Sequence, residues 1–415
     1  MDRRLLASAA LILLLLTAAS VALAESRPRA RDLGVPFDGI PGTLNAVTDV
    51  PGVEVGFTTL ISGEGRLVQG KGPVRTGVTA ILPRGKSSSN DPVFAGWFSQ
   101  NGNGEMTGTT WVEESGFLEG PVMITNTHSV GVVRDAVIDW RVKHGAADAS
   151  GYWWSLPVVA ETWDGFLNDI NGFHVKPEDA KQALDNAKTG MVPEGNVGGG
   201  TGMICYEFKG GTGTASRRLD AVSGGFTVGV LVQCNCGRRN QLMIAGVPVG
   251  REIPENPAYG KDVGSIIIVV ATDAPLLPHQ LKRLARRATM GLARTGSTSG
   301  NGSGDIFIAF STANPGAWRT KGKVDLRMVP NDQMDPLFDA TVQATEEAIV
   351  NAMVAAETMT GAENRKVIAL PHEKLKSVLK KYNRLDATSG ALPKKVKHEA
   401  RQGTALSRAD EGHPN

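Results

Sequence analysis

Several stretches of this 415-residue chain are apolar on both faces of any strand they could form, which constrains the fold more than any other feature. Ser265-Ile-Ile-Ile-Val-Val-Ala271 is the strongest, with Phe226-Thr-Val-Gly-Val-Leu-Val-Gln233 and Ile306-Phe-Ile-Ala-Phe310 beside it. A strand with one wet face alternates apolar and polar residues, whereas a run apolar throughout has to be covered on both sides. Val53–Phe57, Val78–Leu82, Val93–Phe98, Pro121–Thr125 and Leu156–Ala160 extend the series, bounded by glycine or proline. Helical periodicity falls between and after these runs. From Pro278 to Arg294, Leu281, Leu284, Ala288 and Leu292 share one side, and Lys282, Arg283, Arg286 and Arg287 lie largely on the other, a solvated face. From Asp335 to Glu357, Phe338, Val342, Thr345, Ile349 and Met353 recur at the same period. Strands interspersed with helices predict helix layers packed on sheet. The chain holds 50 glycines, where an ordinary share would give roughly 29, so much backbone sits in turns or close approaches.

The two ends read differently from this core. Arg3 and Arg4, the apolar run Leu5–Leu16 and the small-residue pattern Ala22-Leu23-Ala24 read as a secretory signal over 1–24, which predicts export, in a bacterium to the periplasm. No other stretch is long and apolar enough to span a bilayer, so no stable membrane insertion is expected once the signal is removed. Residues 386–415 lack periodicity and read as a disordered polar tail. Between them no linker composition appears, so one large domain is expected.

Composition and motifs remove several chemistries. A net charge of +2 offers no field for nucleic acid. Three cysteines, an odd number in an exported chain, argue against a disulfide framework; Cys205, Cys234 and Cys236 read as small buried hydrophobes, the last two facing the same side of a strand. The histidines are scattered, no ligand spacing suggests a metal, and no cofactor is implied. Gly65 to Gly72 nearly spells a phosphate loop, but it lacks the hydroxyl residue after Lys71, and Pro73 stands where a helix should start. No G-x-S-x-G elbow occurs.

One junction survives. In Asp262-Val-Gly264-Ser265, a serine follows a glycine at the entrance of the strongest strand. Its hydroxyl can attack the preceding carbonyl, converting the peptide to an ester that water cuts, and glycine tolerates the distortion this needs. The cut would leave Ser265 with hydroxyl and α-amine on one residue. That amine has a pKa of roughly 7.7–8.0, near enough to neutral to serve as general base without a histidine. Ser303-Gly304-Asp305 enters another apolar strand, and Gln233-Cys-Asn235-Cys-Gly237 ends the strand before the junction with an amide donor.

These segments together resemble the DmpA-like aminopeptidases, including the β-peptidyl aminopeptidases. The likeness rests on Thr125-Asn-Thr-His-Ser-Val-Gly131, Pro157-Val-Val-Ala-Glu-Thr-Trp-Asp-Gly165, Leu231–Gly237, Gly264–Pro275 and Ser303–Phe307, in family order. It implies an αββα sandwich of the DmpA/ornithine acetyltransferase type, a single domain cut between Gly264 and Ser265 into a larger chain (25–264) and a smaller one (265–385, then the tail). The resemblance also implies an assembly of several such two-chain protomers. It makes Ser265 the nucleophile of both self-cleavage and catalysis, Ser303 and Asp305 its supporting pair, and Asn235 the oxyanion donor. It puts Glu161, Trp163 and Asn126 in the substrate site, with Glu161 meeting the ammonium of a short peptide, amide or ester. Cys236 stands where relatives often carry an aromatic, and Trp163 where many carry tyrosine. The expected function is release of N-terminal β-amino acids or small α-amino acids of either hand through an acyl-enzyme. An N-acyltransferase of the ornithine acetyltransferase type and a non-catalytic exported binding protein are the alternatives.

Overall fold

A computed structural model describes residues 27–386 apart from 89, 147–149, 152 and 260–263. The expected signal and all of the expected tail except Asp386 lie outside the described residues. The first half of the chain supplies β1 (Glu54–Ser62), β2 (Val74–Leu82), β3 (Val93–Gly102), β4 (Phe117–Leu118), β5 (Val122–Asn126) and β6 (Val158–Thr162). The rest of the chain adds β7 (Ile204–Cys205), β8 (Phe208–Lys209), β9 (Gly211–Arg218), β10 (Thr227–Asn235), β11 (Ser265–Thr272), β12 (Gly304–Ser311), β13 (Met359–Thr360) and β14 (Lys366–Val367). The helices are α1 (Thr109–Ser115), α2 (Val130–Lys143), α3 (Pro177–Asp185), α4 (Val249–Glu252), α5 (Pro278–Arg294), α6 (Asp335–Val354) and α7 (His372–Lys381).

Two sheets stack face to face. One has the order β1-β2-β5-β6 and the other β4-β3-β12-β11-β10-β9; β7-β8 and β13-β14 form separate two-stranded ribbons. Ile267, Val269 and Ala271 of β11 pack with Ile81, Ile124 and Ala160 of the smaller sheet. The alternate residues Ile266, Ile268 and Val270 pack with Leu281, Leu284, Ala344 and Ala348 of α5 and α6. On the far side of the smaller sheet, Val78, Ala80 and Met123 meet Val133, Val137 and Leu184 of α2 and α3. Helices, sheet, sheet and helices therefore follow one another as the αββα sandwich expected. The unbroken apolar run of β11 is explained by its position, with a second sheet on one face and helices on the other.

The structure departs from the sequence reading in three places. The helix expected to run to Glu357 ends at Val354, because Glu357 peels away to exchange bonds with Asn196 (2.9 and 3.2 Å). Strand β9, Gly-Thr-Gly-Thr-Ala-Ser-Arg-Arg, carries no apolar run. It belongs to the sheet because Gly213 admits α6, whose Ala348 carbonyl would lie 2.1 Å from any Cβ there, and because its Arg217 forms a buried 2.7 Å ion pair with Glu347 of α6. Cys205 and Cys234 are joined as a disulfide, Cα atoms 5.7 Å apart, with buried Cys236 alongside, so two of the three cysteines are more than packing.

Candidate active site

Strand register builds the site. Strands β11 and β12 are parallel neighbours with Ile266 opposite Asp305, so both begin at the same end of the sheet. The antiparallel β10 finishes there, with Asn235 opposite Ser265. Three segments remote in sequence therefore meet around the Ser265 hydroxyl. The Gly304 N–H donates to Ser265 Oγ at 3.1 Å, and the Ser303 hydroxyl donates to Asp305 Oδ1 at 2.6 Å. Ser265, Ser303, Asp305 and Asn235 are all buried. A register slip between β12 and β3 at Asp305/Ile306, a bulge of the kind that re-aims side chains beside active sites, lies in the same place.

Glycine before the nucleophile is required by space. A Cβ on Gly264 would lie 1.8 Å from the Asn235 carbonyl oxygen and 2.7 Å from Cys236 Cα. Close approach is what demands glycine here.

The Asn235 amide is fixed at both ends. Its Oδ1 accepts the Ile204 N–H at 2.7 Å and its Nδ2 donates to the Trp163 carbonyl at 2.9 Å, which commits one of its two N–H groups. The β7-β8 ribbon braces this corner, with the Tyr206 N–H donating to the Cys236 carbonyl at 2.6 Å. Lys209 at the ribbon's end is wholly buried and donates to the carbonyls of Met203 (2.8 Å) and Gly210 (2.9 Å); burial pulls its ammonium down to about 7. Sequence reasoning missed Lys209, since one lysine in Tyr206-Glu-Phe-Lys209 looks like an ordinary solvated strand end.

Glu161 lies one residue before the end of β6 and is buried, its Oε1 accepting the Glu105 N–H at 3.0 Å and its Oε2 the Thr127 hydroxyl at 2.5 Å. Burial pushes its carboxyl above the ordinary range, and those two donors pull it partly back. Glu161, Ser265, Trp163 and Thr127 line one cavity of about 910 Å³, together with Phe166, Tyr259 and Arg365. That volume suits a small ligand.

Asn126 stands apart from the expected substrate site. It is buried, donates to Thr76 Oγ1 at 2.8 Å and packs beside Asp164, and it does not line the cavity. The alternation of β5 and β6 accounts for this, since Asn126 pairs with Thr162 while Glu161 pairs with Thr125. Phe166, Tyr259 and Arg365 were not anticipated either. They come from loops and a ribbon whose meeting depends on tertiary packing alone.

Stacked sheets between helix layers, with a serine opening a central strand, give this chain the Ntn-hydrolase class of fold, the fold described for one of its solved relatives. Within that class the chain belongs to peptidase family S58, whose model matches residues 45–367. It is 58% identical over 387 residues to the beta-peptidyl aminopeptidase BapA of Sphingosinicella microcystinivorans, covering 89% of this chain and 96% of that one. Its identity to the BapA of Sphingosinicella xenopeptidilytica is 52%, over 88% and 95%. Among solved structures, the L-aminopeptidase D-Ala-esterase/amidase of Ochrobactrum anthropi superposes with a TM-score of 0.81 at 52% identity, covering 86% of this chain and all of that one. A Burkholderia beta-aminopeptidase gives 0.79 at 47% identity, over 88% and 100%.

Proposed function

We propose that the protein is a self-processing serine aminopeptidase that cuts its own Gly264–Ser265 bond and then releases N-terminal residues through an acyl-enzyme on Ser265. The aminopeptidase class follows from membership of family S58 and from relatives of that activity across nearly the whole chain. The same membership disfavours the acyltransferase and binding-protein alternatives. The observation carrying the mechanism is the Ser265 hydroxyl at the meeting of three strand ends, behind a glycine that nothing larger can replace.

Maturation begins when Ser265 Oγ attacks the Gly264 carbonyl carbon, the C–N bond breaks, and the acyl group moves from nitrogen to oxygen. Water then hydrolyses the ester, leaving a Gly264 carboxylate and a Ser265 α-amine. In turnover that amine takes the proton from Oγ as it attacks the substrate carbonyl. The uncommitted N–H of Asn235 meets the developing oxyanion, and the Ser303–Asp305 pair orients the serine and its amine. The departing amine takes the proton, water cleaves the acyl-enzyme, and the residue leaves. Glu161 supplies the buried anion that a substrate ammonium needs. Residues 1–24 direct export to the periplasm, and two-chain protomers assemble further. No group in this mechanism requires a cofactor.

The purified protein should run as two fragments on a denaturing gel, the smaller beginning Ser-Ile-Ile-Ile, with the larger spanning 25–264. Ser265→Ala should give one uncut, inactive chain; cleavage retained in that variant would rule the mechanism out.

A further inference from the structure

Among the described residues lining the cavity, Arg365 is the one cationic side chain, and it shares the lining with the carboxylates Glu105 and Glu161. It is held in place. Arg365 ends the loop between β13 and β14, closed by the Gly361 N–H donating to the Arg365 carbonyl at 3.0 Å. The loop is pinned to the loop after β6 by the Ala362 N–H on the Leu167 carbonyl at 2.8 Å, and a Cβ on Gly361 would meet that carbonyl at 2.1 Å. Beneath, Met359 and Val367 pack with Leu167 and Ile204. Arg365 Nη1 donates to the Phe166 carbonyl at 3.2 Å, and the guanidinium sits 5.1 Å from the centre of the Phe166 ring, itself edge-on to Tyr259 at 5.2 Å.

Among the described residues only one of the five guanidinium N–H donors is thereby used, and no carboxylate forms an ion pair with it. A positioned, half-buried guanidinium with a spare planar fork suits a carboxylate. A peptide whose ammonium rests on Glu161 carries its own carboxylate only about 7–11 Å further on if it has two or three residues. Resting on the aminopeptidase reading above, we propose that Arg365 binds the C-terminal carboxylate of the substrate and so selects di- and tripeptides over amides, esters and longer chains. Without Arg365 the charged side chains left lining the cavity, among the described residues, are the carboxylates Glu105 and Glu161.

The test compares L-alanyl-L-alanine with L-alanyl-L-alaninamide, and β-alanyl-L-alanine with its amide, in wild type, Arg365→Gln and Arg365→Lys. Wild type should favour the free acid by about tenfold or more in kcat/KM. Arg365→Gln should erase that preference mainly through KM, leaving the amides within about twofold, and Arg365→Lys should keep part of it. Equal losses on acid and amide, or no acid preference in wild type, would overturn the proposal while leaving the aminopeptidase reading intact. Failure of wild type to release the N-terminal residue from any of the four would sink both.

Discussion

Glu161 and Asp164 are both buried carboxyls at the end of β6, separated by two residues, and only Glu161 reaches the cavity. Glu161 is bonded to donors from two other loops and faces open volume, whereas Asp164 is sealed in a knot with Asn168 (3.0 Å), Thr76 and Asn126. Burial raises both, Asp164 to about 6. A raised carboxyl by itself therefore distinguishes nothing. Access decides whether its charge recognises a ligand or only strains the fold.

The sharpest way to break that contrast is to neutralise each in turn. Glu161→Gln should cost about a hundredfold or more in kcat/KM on free-amine substrates, because their ammonium would be buried without an anion. Its melting temperature should not fall, since a buried charge has been removed. Asp164→Asn should stay within about threefold of wild type in kcat/KM. Steady-state kinetics on one dipeptide decides it, and equal damage from both would erase the distinction.

The next effect belongs to Asp164 and appears in stability. Its folded pKa is raised above the unfolded value, so the proton-bound form favours the native state. That contribution is fully present below the unfolded pKa near 3.8 and is lost as pH rises through about 6. Relative to Asp164→Asn, wild type should lose about 2 kcal/mol of unfolding free energy between pH 4 and pH 7, as read by denaturant melts. A pH-independent difference would mean that Asp164 holds no proton in the fold.

What could be read in the sequence follows the same division. The unbroken run at Ser265 marks a doubly covered strand because hydrophobic period is local information, and Ser303, Asp305 and Asn235 are visible because each stands at a strand end. Strand β9 was invisible, because its membership rests on Gly213 and the Arg217–Glu347 pair, which act only once α6 is in place. Arg365 was invisible for a similar reason, as its ribbon meets Leu167 across nearly two hundred residues of chain. The place of Asn126 shows the limit of motif matching, because it ends β5 opposite Thr162, away from Glu161, while Thr127 in the turn that follows lines the cavity.

The smallest effect concerns how Glu161 keeps its charge. The Thr127 hydroxyl donates to Glu161 Oε2 and so favours the carboxylate against the burial that opposes it. Thr127→Val preserves shape and removes the donor, so the carboxyl should move further up, and the acid limb of the kcat/KM profile with it. On the acid side of the optimum the loss should be about tenfold, shrinking toward wild type as pH rises and Glu161 ionises again. The wild-type limb should already sit above the ordinary carboxylate range. A uniform loss at every pH would instead mean that Thr127 only packs against the site, and the donors around Glu161 would then be no more tied to recognition than those around Asp164.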